Sequence, residues 1–344
     1  MNPMTQPPLL STSTETLTPT KDVGRGRRRP HLGLHRFSGI YVLFVLLLIF
    51  SLWIPASFLQ ASTLRSVLTG QAIVGMAAMA VLVPLAASAF DLSVAAVITT
   101  AVVLVAHFQS AQGWPPATAI VVTILICVVI GVVNGFAVVV LEVNSFIATL
   151  AMSSILAALV FWISGGQQIV TGISSSFINL GQAQLFGVAL PVYYLAALSI
   201  LLYVVLQHTP LGRYFYAVGE NPDAARLAGV RVGQTTFLSL VFSSSIAGCA
   251  GVVLCARIGS ASLEAGTPYL LPAFAAAFLG STQIIPGRMN VWGTVLAVYL
   301  LAVGVKGLQL AGAEPWVDKL FNGTALLIAV SVSVYGSKRQ SRHT

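Results

Sequence analysis

The chain has 344 residues, of which 57% are apolar and 8% charged, with a mean hydropathy of +0.91 and a net charge of +8. Soluble domains carry about 25% charged residues, so this composition excludes a water-covered globule and fits a chain whose solvent is lipid. The positive balance does not indicate nucleic acid, because the Lys and Arg residues stand in tails and loops between apolar runs, without an aromatic-studded basic face.

In chain order, residues 1–36 are rich in Thr, Ser and Pro and end in the run Arg25-Gly-Arg-Arg-Arg. They lack apolar periodicity and read as a disordered basic tail. The basic stretch before the apolar run from Ile40 has the order of a signal peptide. The leader is long and further spans follow, so the run reads as an uncleaved first span. A membrane helix needs about 20 mostly apolar residues. On that template spans fall near 39–59, 67–88, 92–108, 117–140, 146–165, 190–207, 234–256, 270–284, 291–310 and 320–336. The third and eighth are short, and 67–108 also admits broken helices. The runs are rich in Leu, Val and Ala without strict alternation, which favours helices over a membrane barrel. The expected fold is an all-α membrane protein, a polytopic bundle of about ten helices over 37–337, with a cytoplasmic loop at 208–233 and a short basic tail at 338–344.

Orientation follows from positive charge. With the N-terminus inside, 13 of the 17 Lys and Arg residues fall on the inner side: Lys21, Arg25, Arg27, Arg28, Arg29, Arg36, Arg213, Arg226, Arg231, Arg288, Lys338, Arg339 and Arg342. Arg65, Arg257 and Lys319 fall outside, and Lys306 lies within a span. This asymmetry supports an even number of spans with both termini cytoplasmic. Small residues recur at helix-packing spacing in Gly131 with Gly135, Ser244 with Gly248, and Ala247 with Gly251. Lipid gives helices no hydrophobic reason to associate, so close approach through small side chains supplies the contact.

No cofactor or metal is expected in the chain. Cys127, Cys249 and Cys255 fall in apolar runs, the histidines are scattered, and neither group has zinc-site spacing. There is no Gly-x-x-x-x-Gly-Lys-Ser/Thr phosphate loop. A nucleophile paired with a base, as an intramembrane hydrolase needs, is not identifiable either. The polar residues of interest are Asp91, Ser93 and Asn134. Asp91 stands where it can cap the third span through the N–H groups of Ser93 and Val94. An acid at membrane depth is also a candidate for gating or for the solute path, and the two roles are compatible. Asn134 reads as an interhelical hydrogen-bond partner or a solute contact.

The loop from Gly212 to Val230 contains a short helix written in capping signals. Asn221 is a good N-cap, Pro222 suits the first helical position, Asp223 lies in the favourable first turn, and Gly229 is a C-terminal stop. A helix of about two turns is marginal alone in water, so the chain's own spans or a partner must hold it. Ala224 and Ala225 permit close approach, Leu227 offers an apolar anchor, and Arg226 a charge.

This stretch, Asp223-Ala-Ala-x-x-x-Gly229, resembles the coupling loop of permease subunits of bacterial ABC sugar importers, in the branch that handles ribose, xylose, arabinose, galactose and autoinducer-2. Four further stretches support the resemblance in order: Asp91-Leu-Ser-Val, Asn134-Gly, Ser145-Phe-Ile-Ala-Thr-Leu, and Gly287-Arg288 followed by Val291-Trp-Gly-Thr. Together they span nearly all of the chain after the tail. The resemblance implies a path for a sugar-like solute across the bacterial inner membrane. It also implies a separate ATPase subunit that binds ATP and Mg at the cytoplasmic face, an extracytoplasmic sugar-binding protein, and a second permease copy. Two departures stand out: Ala87-Ser-Ala-Phe, where relatives usually carry glycines, and Ile284-Ile-Pro, where they tend to be rich in Gly and Ser. The competing reading is an ion-coupled secondary transporter, which needs ionisable groups near the midplane. Asp91 and Lys306 are its candidates.

Overall fold

The computed structural model describes residues 38–340, with side chains through 331; the tail expected over 1–36 and the last four residues lie outside them. Helices stand at each of the ten expected span positions: α1 (Ser38–Trp53), α3 (Ala61–Ala86), α4 (Val94–Ser110), α5 (Pro116–Val139), α6 (Ser145–Ser164), α8 (Leu190–His208), α11 (Val232–Ile258), α12 (Leu270–Ser281), α13 (Val291–Leu310) and α14 (Trp316–Gln340). Six of them, α3, α5, α6, α8, α11 and α13, are long and apolar enough to cross a membrane, while α1 and α4 are shorter apolar helices. At 12 residues α12 is shorter than a bilayer requires.

Four differences from the expected map have local causes. The first span stops at Trp53 rather than 59, and Pro55 opens a separate single turn, α2 (Pro55–Phe58), because proline cannot continue a helix from its own interior. Residues 61–86 are one unbroken helix, with Pro84 tolerated near its end. Between α6 and α8 the chain forms α7 (Ser175–Gln182) and a tight hairpin, β1 (Gln184–Leu185) with β2 (Val188–Ala189). The loop before α11 carries two helices instead of one, α9 (Pro210–Glu220) and α10 (Pro222–Leu227).

The core is built on α3 and α11. Every residue of α3 from Ala72 to Ala86 is buried, as expected of a helix apolar all round and enclosed by neighbours. Next to it α11 packs against α3, α4 and α5. The small-residue spacings meet along this seam. A Cβ on Gly131 would come within 2.8 Å of the Val241 backbone, one on Gly248 within 2.7 Å of Cys127, and one on Gly251 within 2.5 Å of the Ile98 carbonyl. The helices therefore touch backbone to backbone, the contact that substitutes for hydrophobic drive in lipid. Outward faces of α5 and α6 present Val121, Leu125, Val129, Leu150 and Phe161 to the exterior, the inverse of a soluble surface.

Candidate functional site

Three of the short stretches singled out in the sequence, those beginning at Asp91, Asn134 and Ser145, come together around one turn. Between α3 and α4 the chain reverses through Ala87–Ser93, and Asp91 is 1% exposed. Its Oδ1 accepts the Ser93 N–H at 2.9 Å and the Ser93 hydroxyl at 2.5 Å. Ser93 occupies the cap position and α4 begins at Val94, so Asp91 closes the turn onto Ser93 rather than reaching Val94. Asn134, fully buried in α5, donates from Nδ2 to the Ser93 hydroxyl at 2.9 Å. Asp91, Ser93 and Asn134 are thus one hydrogen-bonded chain across two helices. Asp91 Oδ2 and Asn134 Oδ1 are enclosed without a hydrogen bond, and the Ser243 hydroxyl of α11 faces the same carboxylate. Among the described residues no cationic side chain pairs with Asp91.

The stretch beginning at Ser145 supplies the other wall. Ser145 Oγ accepts the Phe90 N–H at 3.1 Å, Thr149 Oγ1 accepts the Leu92 N–H at 3.0 Å, and Ser153 Oγ donates to the Leu92 carbonyl at 3.1 Å. A chain reversal leaves backbone N–H and C=O groups without the partners a helix would give them, and side chains satisfy them here. One face of α6 does so at the spacing Ser145, Thr149, Ser153, successive turns of a helix.

The opposite side of the turn rests on α9. The Ser88 hydroxyl donates to the Gly219 carbonyl at 2.7 Å, and a Cβ on Gly219 would come within 2.2 Å of the Ala86 carbonyl. Ser88 has φ +54°, the left-handed region that favours glycine. The departure at Ala87-Ser-Ala therefore falls where glycine would be cheapest, and the Ser88–Gly219 bond offsets part of the cost. Likewise Ile284 has φ +57°, a genuine outlier for a β-branched residue, in the stretch that also departs from the resemblance.

Further along α9, the Tyr216 hydroxyl donates to the Met289 carbonyl at 2.9 Å, and the Arg288 guanidinium lies 3.5 Å over the Tyr216 ring. Burial pushes the Tyr216 phenol up, with the Arg288 charge opposing, so at neutral pH it remains a donor. Asn290 secures that second turn: Nδ2 donates to the carbonyls of Gly280, Gln283 and Arg288, and Oδ1 accepts the Gly293 N–H at 2.7 Å. One short helix thus touches both reversals, the one before α4 and the one before α13. Sequence reasoning missed α9, although Thr209-Pro210 is a capping pair and Thr209 accepts the Gly212 N–H.

Directly after α9 comes α10, built as its signals dictate. Asn221 Oδ1 accepts the N–H groups of Asp223 and Ala224, both at 3.0 Å. At the other end the Val230 N–H reaches the Ala225 carbonyl at 2.9 Å and the Gly229 N–H reaches Arg226 at 3.0 Å, with Gly229 at φ +85°. This is the double closure of a Schellman stop. Ala225 is 5% exposed and packs on the chain itself, so it is not available to an outside surface as expected. Pro222, Asp223, Ala224 and Arg226 are exposed, and Arg226 pairs with Asp223 at 3.6 Å. Leu227 is 91% exposed.

A bundle of apolar helices, six of them long enough to cross a membrane, defines a multi-pass membrane protein. Among the described residues no group of three or more His, Cys, Asp or Glu side chains is placed to hold a metal ion. The family model described as "Branched-chain amino acid transport system / permease component" matches residues 63–330, and the chain belongs to that family. It is a transport permease component. Its relatives include the fructose import permease protein of Rhizobium meliloti, 31% identical over 85% of this chain and 83% of that one. The ribose import permease protein of Bacillus subtilis is 31% identical over 84% and 89%. The L-arabinose transport system permease protein of Escherichia coli is 32% identical over 77% and 80%. No solved structure matches the chain.

Proposed function

We propose that this chain is the membrane-spanning subunit of an ATP-binding-cassette importer that carries a monosaccharide across a bacterial inner membrane. The observation that carries the reading is α10: a helix capped at both ends, held by Ala225, that leaves Leu227 91% exposed beside the charges of Asp223 and Arg226. A helix this short is marginal alone, and an apolar tip between charges suits a groove on a partner protein. In this reading the partner is a cytoplasmic ATPase that binds ATP and Mg. Closure of the ATPase pushes α10, and α9 passes the movement to the turns before α4 and α13. The cargo class follows from the relatives, which are import permeases for fructose, ribose and L-arabinose. A second permease copy and an extracytoplasmic sugar-binding protein complete the assembly.

In cells lacking this chain, uptake of radiolabelled ribose, fructose or L-arabinose is expected to fall to background for one of them and to return on complementation. With cellular ATP maintained by fermentation, that uptake should survive a protonophore. Uptake that collapsed with the ion gradient while ATP held would instead mark an ion-coupled carrier.

Both termini and the α9–α10 segment face the cytoplasm in this reading, because positive charge gathers on that side. With the native thiols removed, Ala228→Cys should be silent to an impermeant thiol reagent applied to intact cells, whereas Gln167→Cys, exposed at the other end of the bundle, should react. The reverse pattern would invert the map.

A further inference from the structure

A cavity of about 690 Å³ opens between the first half of α3, the segment Glu264–Pro272, the second half of α13 and the start of α14. We propose that it is the outward-facing binding site for the transported solute, a neutral polyhydroxylated molecule of monosaccharide size. The proposal rests on the sugar-import reading and gives it a site.

Position comes first. Gln71 and Val74 of the cavity wall precede Ala86, where α3 meets the α9 contact, by 15 and 12 residues. At about 1.5 Å per residue that is roughly 18–22 Å along the helix. The cavity therefore lies toward the end of the bundle away from α10, the side an imported solute meets first. Its volume falls within the range of about 300–1,000 Å³ usual for small-molecule sites.

The chemistry of the wall selects the solute. Its polar groups are Gln71, Glu264, Thr267, Asp318, Lys319 and Asn322, and its floor is apolar, including Leu301 and Ala302. Two carboxylates, two amides, a hydroxyl and an ammonium offer both acceptors and donors, as a molecule whose hydroxyls both donate and accept requires. The apolar floor suits the C–H faces of a sugar ring.

Asp318 is the acid of the wall whose position is fixed: its Oδ2 accepts the Gln309 Nε2 at 2.7 Å, which orients the carboxylate beside the cavity. Glu264 and Asp318 against Lys319 leave the wall one negative charge in excess, which disfavours phosphorylated or acidic solutes. A zwitterionic amino acid would need an enclosed cation for its carboxylate, and Lys319 is exposed to solvent.

The test uses the complete transporter in membrane vesicles. Asp318→Ala should lower uptake of the sugar that depends on this chain by about tenfold at limiting concentration, at normal membrane abundance. Asp318→Asn, which keeps an acceptor oxygen, should lose less. In a background without native thiols, labelling of the Asn322→Cys protein by an impermeant reagent from the outer side should be slowed by that sugar and unaffected by L-leucine. The labelling result decides the matter even where Asp318→Ala fails to fold. Labelling indifferent to the sugar, slowed by leucine, or pre-empted by a spontaneous disulfide between two copies would each overturn the site. If no sugar's uptake depended on this chain, the sugar-import reading would fail first, so the two failures are distinguishable.

Discussion

Leu227→Asp is expected to abolish solute uptake and co-purification of the ATPase while leaving the permease in the membrane at normal abundance. The side chain is 91% exposed, so nothing in the chain's own fold depends on it. In the proposed docked state it enters an apolar contact, and a carboxylate there costs about 3 kcal/mol or more, on the order of a hundredfold in affinity. Gly229→Val should give a milder form of the same defect by a different route. A Cβ at Gly229 meets nothing within 4 Å, so the cost is purely conformational. At φ +85° a β-branched residue is strained by about 1–2 kcal/mol, which loosens the stop and misplaces the helix. Gly229→Asn, which tolerates the left-handed region, should lie between wild type and Val. The measurement is pull-down of the ATPase with tagged permease alongside uptake. Wild-type values for both Leu227→Asp and Gly229→Val would reduce α10 to a connector.

The second large effect is expected at Asp91. Asp91→Ala removes the acceptor for the Ser93 N–H and hydroxyl, both in a buried turn. Leaving buried donors unpaired costs about 1–3 kcal/mol, enough to lower the unfolding temperature of the detergent-solubilised protein and to cut transport. Asp91→Asn retains an amide oxygen at the same place and can donate its amide to Ser243, so it should keep the fold and most uptake. If Asn abolished uptake with the protein folded and assembled, the negative charge itself would be the functional quantity and the turn-closing role would be insufficient. Because Ser93 also takes the Asn134 hydrogen bond, Asn134→Ala should be largely non-additive with Asp91→Ala, as expected within one network.

Much of this architecture was legible in the sequence for reasons that are local. A helix of membrane length announces itself because every backbone polar group must be satisfied within it and its side chains must be apolar. Helices therefore stand at all ten expected positions, six of them of membrane length, and the bounds agree within about four residues except where Pro55 stops the first early and where the second begins at Ala61 rather than 67. The ends of α10 were equally legible, since Asn221, Pro222 and Gly229 act on neighbouring backbone groups and need no distant partner. The Gly131, Gly135, Gly248 and Gly251 spacings announced close packing, though not which helices would meet.

What only the tertiary structure decided depends on contacts remote in sequence. Nothing local says that Ser145, Thr149 and Ser153 satisfy the backbone at Phe90 and Leu92, or that Asn134 completes the Asp91–Ser93 pair. The stretches at Asp91, Asn134 and Ser145 become one structure because the reversal before α4 borrows side chains from adjacent helices for its backbone groups. The contacts of α9 are of the same kind: Gly219 against Ala86 and Tyr216 against Met289 link residues more than 70 positions apart. The side of α10 that Ala225 turns inward, and hence which residues remain for a partner, is likewise fixed by packing. So is the cavity at Asp318, whose wall is drawn from four separate segments. Helices and their caps are encoded by near neighbours, but a binding surface is encoded by the way helices are brought side by side, and one-dimensional order does not contain that information.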